Sequence, residues 1–196
     1  MSFQQASPFL RRFACVAAVA AVALLPAAGV RADSPAEQRA QISAMAQQTL
    51  QALYAQKPSA ERAIRESVGY AVFSDISTKI FLAGGGGGKG VAVNRITGDP
   101  TYMTLVTVSA GLGLGVSKSH LIWVFDTPDA YSNFVNNGVE LGADANLTVN
   151  PGAGGGLYDG AVEASPGAWL YQLSDAGLAA ELTVQGSKYF KDPDLN

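Results

Sequence analysis

Lys89 stands at the end of an unbroken run of five glycines, Gly84, Gly85, Gly86, Gly87 and Gly88, where a phosphate loop would place its lysine. Such a loop needs a glycine, four residues and then Gly-Lys-Ser or Gly-Lys-Thr, so that bare backbone N–H groups cradle phosphate while the hydroxyl holds magnesium. Ala83 takes the place of the first glycine and Gly90 that of the hydroxyl, which argues against a nucleotide site. The dinucleotide pattern G-x-G-x-x-G is met by Gly85, Gly87 and Gly90, but five successive glycines meet it trivially, and no β-α-β unit follows.

Hydrolytic and metal chemistry are as poorly supplied. Ser109 precedes Ala110-Gly111, yet Thr107 occupies the first glycine position of a nucleophile elbow. His120, the single histidine, would have to serve any serine triad alone. Asp192, Asp194 and Asn196 start like a calcium loop that lacks its glycine and distal Glu. The one cysteine, Cys15, lies in an N-terminal apolar run, so thiol chemistry and disulfides are absent beyond it. These residues predict a protein that is not an enzyme, with no cofactor and no catalytic or metal-binding residues.

What remains is binding by charge. Residues 76–125 carry Lys79, Lys89, Arg95 and Lys118 against Asp99 alone, whereas from residue 126 onward Lys188 and Lys191 face ten acidic residues. The glycine-rich region is therefore the basic part of an acidic chain. Lysine and arginine heads, with the exposed N–H groups of Gly84, Gly85, Gly86, Gly87 and Gly88, suit an anionic headgroup. Lys79, Gly84–Gly88, Lys89, Arg95 and Lys118 are the expected lipid-binding set.

The elements that hold these residues begin after a leader. Arg11 and Arg12, the apolar run 13–25 and the small-x-small site Val30-Arg31-Ala32 have the form of a secretory signal, with 1–32 cleaved before Asp33. Losing three arginines leaves ten basic against sixteen acidic residues, a balance of −6, which excludes nucleic acid as a partner. Residues 33–66 read as a helical segment: Ser34 caps a helix over 35–56 whose Ile42, Met45, Thr49, Leu50, Leu53 and Tyr54 form one stripe, and Pro58 starts a shorter helix. That stripe is expected on the core, the competing position being a membrane surface.

Residues 67–196 form the second unit. Short strands are expected at 70–73, 79–83 and 91–94, a turn at Thr97-Gly98-Asp99-Pro100, and a long strand from Thr101 with Met103, Leu105 and Thr107 on one face. A strand at 121–125, a helix from Asp126 to the Asn137-Gly138 stop, and strands at 139–149, 168–173 and 178–185 follow. Residues 150–160 read as a loop. Gly111, Gly113 and Gly115 share one strand face, which lets a sheet bend sharply. The expected class is α+β, with a β-rich, mostly antiparallel curved sheet (barrel or bent sandwich), N-terminal helices and one embedded helix.

Four stretches in this order resemble the SYLF domain family. They are GYAVFSDISTKIFLAGGGGGKGVAV (69–93), SAGLGLGVSKSHLIWVFDT (109–127), FVNNGVELGADA (134–145) and WLYQLSDAGLAAELTVQGSKYFKD (169–192). The resemblance implies lipid binding, through inositol phospholipids in eukaryotic members, with actin contacts in some. Joined to the export signal, it gives a bacterial envelope protein in the periplasm, peripheral on a membrane, that recognises anionic phospholipid or lipopolysaccharide headgroups. The alternative is a periplasmic structural or protein-interaction module with an envelope protein partner and no lipid ligand.

Overall fold

The computed structural model describes residues 33–142, 156–174, 177–178 and 186–196, without the side chains of 79–83, 109–114 and 178. Two helices lead. α1 (Pro35–Gln56) opens with a complete capping box, in which Ser34 Oγ accepts from Glu37 N–H and the Glu37 carboxylate accepts from Ser34 N–H at 2.7 Å. α2 (Pro58–Glu66) follows, and Ser67 closes it by donating to Ile64 O at 2.8 Å.

The rest is organised on one ribbon. β1 (Gly69–Asn94) and β2 (Pro100–Phe125) pair antiparallel from Gly69 opposite Phe125 to Val93 opposite Pro100, with one register slip between Phe81 and Ala83. The short strands expected before and after the glycine run are thus parts of one 26-residue strand, and the run itself stays in the ladder. Backbone pairing with β2 compensates for the low strand propensity of glycine, which is why composition alone broke the strand too early.

Midway the ribbon doubles back, so that the two halves of β1 meet. Ser74 Oγ donates to Lys89 O at 3.3 Å, and Arg95 N–H donates to Val68 O at 3.0 Å. Gly86, Gly88 and Gly90 lie directly against residues 72–77: a Cβ on Gly86 would stand 2.6 Å from Ser77 Cα, and one on Gly88 or Gly90 would collide with the carbonyl oxygens of Ser74 or Val72. Only hydrogen fits at these positions, which fixes glycine there. The doubled ribbon has a base, holding residues 69–73, 90–103 and 121–125, and a tip, where 79–83 lie opposite 110–115.

Later elements attach to opposite halves of β2. α3 (Pro128–Asn137) starts at Thr127, whose Oγ1 accepts from Ala130 N–H, and stops at Gly138 with φ 72°. β3 (Val139–Leu141) pairs with β7; β4 (Val162–Ser165) and β6 (Gly177–Leu178) pair with β5 (Ala168–Ser174); β5 pairs with β2 over 119–125; and β7 (Gly186–Lys191) pairs with β2 over 103–108. All pairings are antiparallel, and the class is α+β with a curled, β-rich sheet, as the sequence predicts. The strands expected at 139–149 and 178–185 and the loop expected at 150–160 lie partly outside the described residues, as does the bare face of Gly111 and Gly113.

Alternation sends side chains to two cores. On one face Val72, Val91, Tyr102, Ile122, Val124, Tyr171 and Leu173 pack under α1 and α2 against Ile42, Ala46, Leu50, Leu53 and Ile64. The α1 stripe is therefore on the core. On the other face Ala71, Phe73, Met103, Leu105, Trp123, Phe125 and Tyr189 pack against Tyr131, Phe134 and Val135 of α3. Here Phe73, Trp123, Phe134 and Tyr189 make edge and tilted ring contacts at 5.0 to 6.1 Å between centroids, the arrangement favoured by ring quadrupoles.

Candidate functional site

The expected basic set does not gather on one surface. Arg95 is in the turn at the base, where its guanidinium donates to Ile64 O at 3.1 Å and to Arg65 O, tying that turn to the end of α2. Lys89 reaches α1 from a partly exposed position: its ammonium donates to Gln38 Oε1 at 3.0 Å and pairs with Asp192 at 3.0 Å. Asp192 is buried, which alone would raise its pKa. The Lys89 ammonium, Asp194 N–H and the Thr104 hydroxyl outweigh burial and hold it below the usual carboxylate value. Lys89 and Asp192 thus clamp α1 to the sheet and to the end of the chain.

Lys118 and Lys79 belong to the tip. Lys118 is exposed and opposite Ile76; the Lys79 backbone is opposite Gly115. Of the five glycines, Gly86 and Gly88 are used inside the fold against residues 74–77, while Gly85 is exposed with ordinary contact to Thr107 O at 3.5 Å.

Burial at the tip reverses the usual order. Asp75, Ser77, Thr107 and Ser187 are buried on the face that carries the aromatic core at the base. Asp75 accepts from Ser77 at 2.9 Å through Oδ2 and from Thr107 at 3.2 Å through Oδ1, and the two hydroxyls stand 3.2 Å apart. A buried carboxylate is tolerated when its oxygens are hydrogen-bonded in this way. Burial pushes the Tyr189 phenol far up; Trp123 opposes the rise, the charge of Asp75 adds to it, and Ser187 opposes it least.

The opposite face at the tip is apolar and open. Ile76, Val106, Val108 and Val116 are 51%, 45%, 58% and 67% exposed. By alternation they continue the face that α1 and α2 cover at the base, beyond the reach of either helix. Residues 74–88 and 105–119 contain one acid, Asp75, which is buried on the other face. A groove of about 430 Å³, lined by Gln38, Gln41, Ile42, Met45, Ser74 and Lys89, lies along α1 beside this face. Sequence reasoning missed the exposed patch because Ile76, Val106, Val108 and Val116 have the pattern of any half-buried strand; the scarcity of acids around them, Asp75 alone in 74–88 and 105–119, was the available signal. Among the described residues no group of His, Cys, Asp and Glu is placed to hold a metal ion, and no helix is long and apolar enough to cross a membrane.

The ribbon doubled on glycines has α1 and α2 on one face and α3 on the other, and among the described residues no helix covers its tip. Residues 106–196 match the family model Ysc84, described as Las17-binding protein actin regulator, a SYLF-type domain. Over 159 residues it is 31% identical to beta cell expansion factor A of Aeromonas veronii, a match covering 81% of this chain. The chain spans 59% of that relative's length. Neither description is that of an enzyme.

Proposed function

We propose that the protein is a non-enzymatic lipid-binding protein of the bacterial envelope that recognises anionic phospholipid surfaces with the tip of its ribbon. The observation that carries this reading is the exposure of Lys118 on an apolar stretch of an otherwise acidic chain, where the one acid of residues 74–88 and 105–119, Asp75, is buried. Lys79 shares the tip by register and adds a second cation to the same end. Lys89 and Arg95, held by Asp192 and by the end of α2, support the fold that presents the tip. The SYLF-type domain supports lipid or protein binding in general, and the basic tip favours lipid.

Two lysines near an anionic surface contribute about 2 kcal/mol, since each is worth about 1. This is roughly thirtyfold in affinity, and salt should weaken it. In co-sedimentation with vesicles, the protein is expected to pellet with phosphatidylglycerol-containing vesicles at low salt, less at high salt, and not with phosphatidylcholine vesicles. Lys118→Glu should reduce pelleting several-fold. Equal pelleting with neutral vesicles, or none with any, overturns the proposal.

A further inference from the structure

The two cations are weak by themselves, and the surface around them has a second property: Ile76, Val106, Val108 and Val116 form an uncovered apolar sheet face at the same end. We infer that this face enters the acyl boundary of the bilayer, so that the ribbon docks end-on, tip first, with α1 still packed on the sheet. The inference rests on the lipid reading above and adds the surface and orientation of contact.

Three observations favour a bilayer as the occupant. The residues are β-branched aliphatics, with no acid exposed on the stretches that carry them. Lys118 lies on the same face, directly opposite Ile76 and two residues along its own strand from Val116, where its stem can cross apolar ground to a headgroup phosphate. The sequence through the bend, with Ile80 in register with Leu114 and Phe81 with Gly113, is itself apolar and follows Lys79. A second copy fits less well, because an isologous contact through this face would cover both Lys118 side chains while residues 74–88 and 105–119 offer no exposed acid to pair them. The backbone at the tip meets the demand of an apolar medium on one side at least, since 83–88 stay paired with 105–110.

α1 need not leave the sheet for this contact. Ile42, Ala46, Leu50 and Leu53 are already buried, and the Lys89–Asp192 clamp, the Arg39 bond to Leu195 O at 2.9 Å and the Ser43–Tyr102 contact at 3.3 Å hold the helix in place. Among the described residues, the end that no helix covers is free to meet lipid.

The test introduces single cysteines into a chain freed of its own, Cys15. With Cys15→Ser in place, single variants Val116→Cys, Val108→Cys and Ile96→Cys are labelled with an environment-sensitive fluorophore and mixed with phosphatidylglycerol–phosphatidylcholine vesicles carrying nitroxide-labelled acyl chains. Ile96 is exposed in the turn at the base and reports the opposite end. The expected result is a blue shift, a several-fold rise in intensity and nitroxide quenching at 116 and 108, with none at 96. Val116→Asp with Val108→Asp should lower vesicle affinity at least tenfold while the thermal transition stays in place. Co-sedimentation with an aqueous signal at 116 and 108 overturns end-on insertion and leaves lipid binding standing. Failure to co-sediment overturns both. A concentration-dependent dimer lost in Val116→Asp assigns the face to a second copy and overturns the inference.

Discussion

The base and the tip of the ribbon are built from the same two strands with the same alternation, yet they bury opposite kinds of side chain. At the base one face meets α1 and α2 and the other meets α3, so both can be apolar, and Trp123, Phe73 and Ile122 are almost wholly buried. At the tip the face continuous with the aromatic core buries Asp75, Ser77 and Thr107, while its reverse exposes Ile76, Val106, Val108 and Val116. A stretch selected for stability alone would place those polar and apolar groups the other way round. The reversal costs stability unless something apolar meets the tip, and such patches mark interaction surfaces on soluble proteins.

The comparison can be broken most directly at the base. Trp123→Ala should cost about 3–5 kcal/mol, because it empties the centre of the ring cluster, and chemical denaturation followed by circular dichroism would measure it; a loss below about 1 kcal/mol would mean that the aromatic core does not hold the fold. Next comes the joint between base and tip. Gly88→Ala adds one methyl against the Ser74 carbonyl and should cost about 1–3 kcal/mol by overpacking, whereas Gly85→Ala, with ordinary contact alone, should stay within about 0.5 kcal/mol. Equal effects at the two glycines would remove the close contact of the β1 halves. The smallest effect is expected at the tip: Val106→Thr with Val116→Thr should leave the unfolding midpoint within about 0.5 kcal/mol of the parent, and a larger loss would show that these valines are packed against the protein itself.

Much of this fold was legible in the chain. Pro35 after Ser34 marks the start of α1, Pro128 after Thr127 that of α3, and Gly138 its end, because caps and stops act locally. The faces of Met103, Leu105 and Thr107 follow from period two. The doubling of the ribbon was not legible, since Gly86, Gly88 and Gly90 contact residues 72–77 through backbone atoms, which leave no side-chain pattern. For the site, charge type was readable but placement was not. Lys89 and Arg95 look like Lys118 in a sequence, and only tertiary partners, Asp192 for one and the carbonyl of Ile64 for the other, separate them.

The doubled ribbon also orders events in time. Its pairing begins at Val93 and Pro100, across a turn of a few residues, and ends at Gly69 and Phe125, 56 positions apart. Loop closure costs least at the turn and grows slowly outward, so the ribbon can close like a zipper from residues 94–99. β5 and β7 can join only when their halves of β2 are in place, and both arrive from far along the chain. Distant pairings of this kind slow folding. The rate-determining stage therefore belongs to the docking of these two outer strands, with the ribbon already assembled as their template.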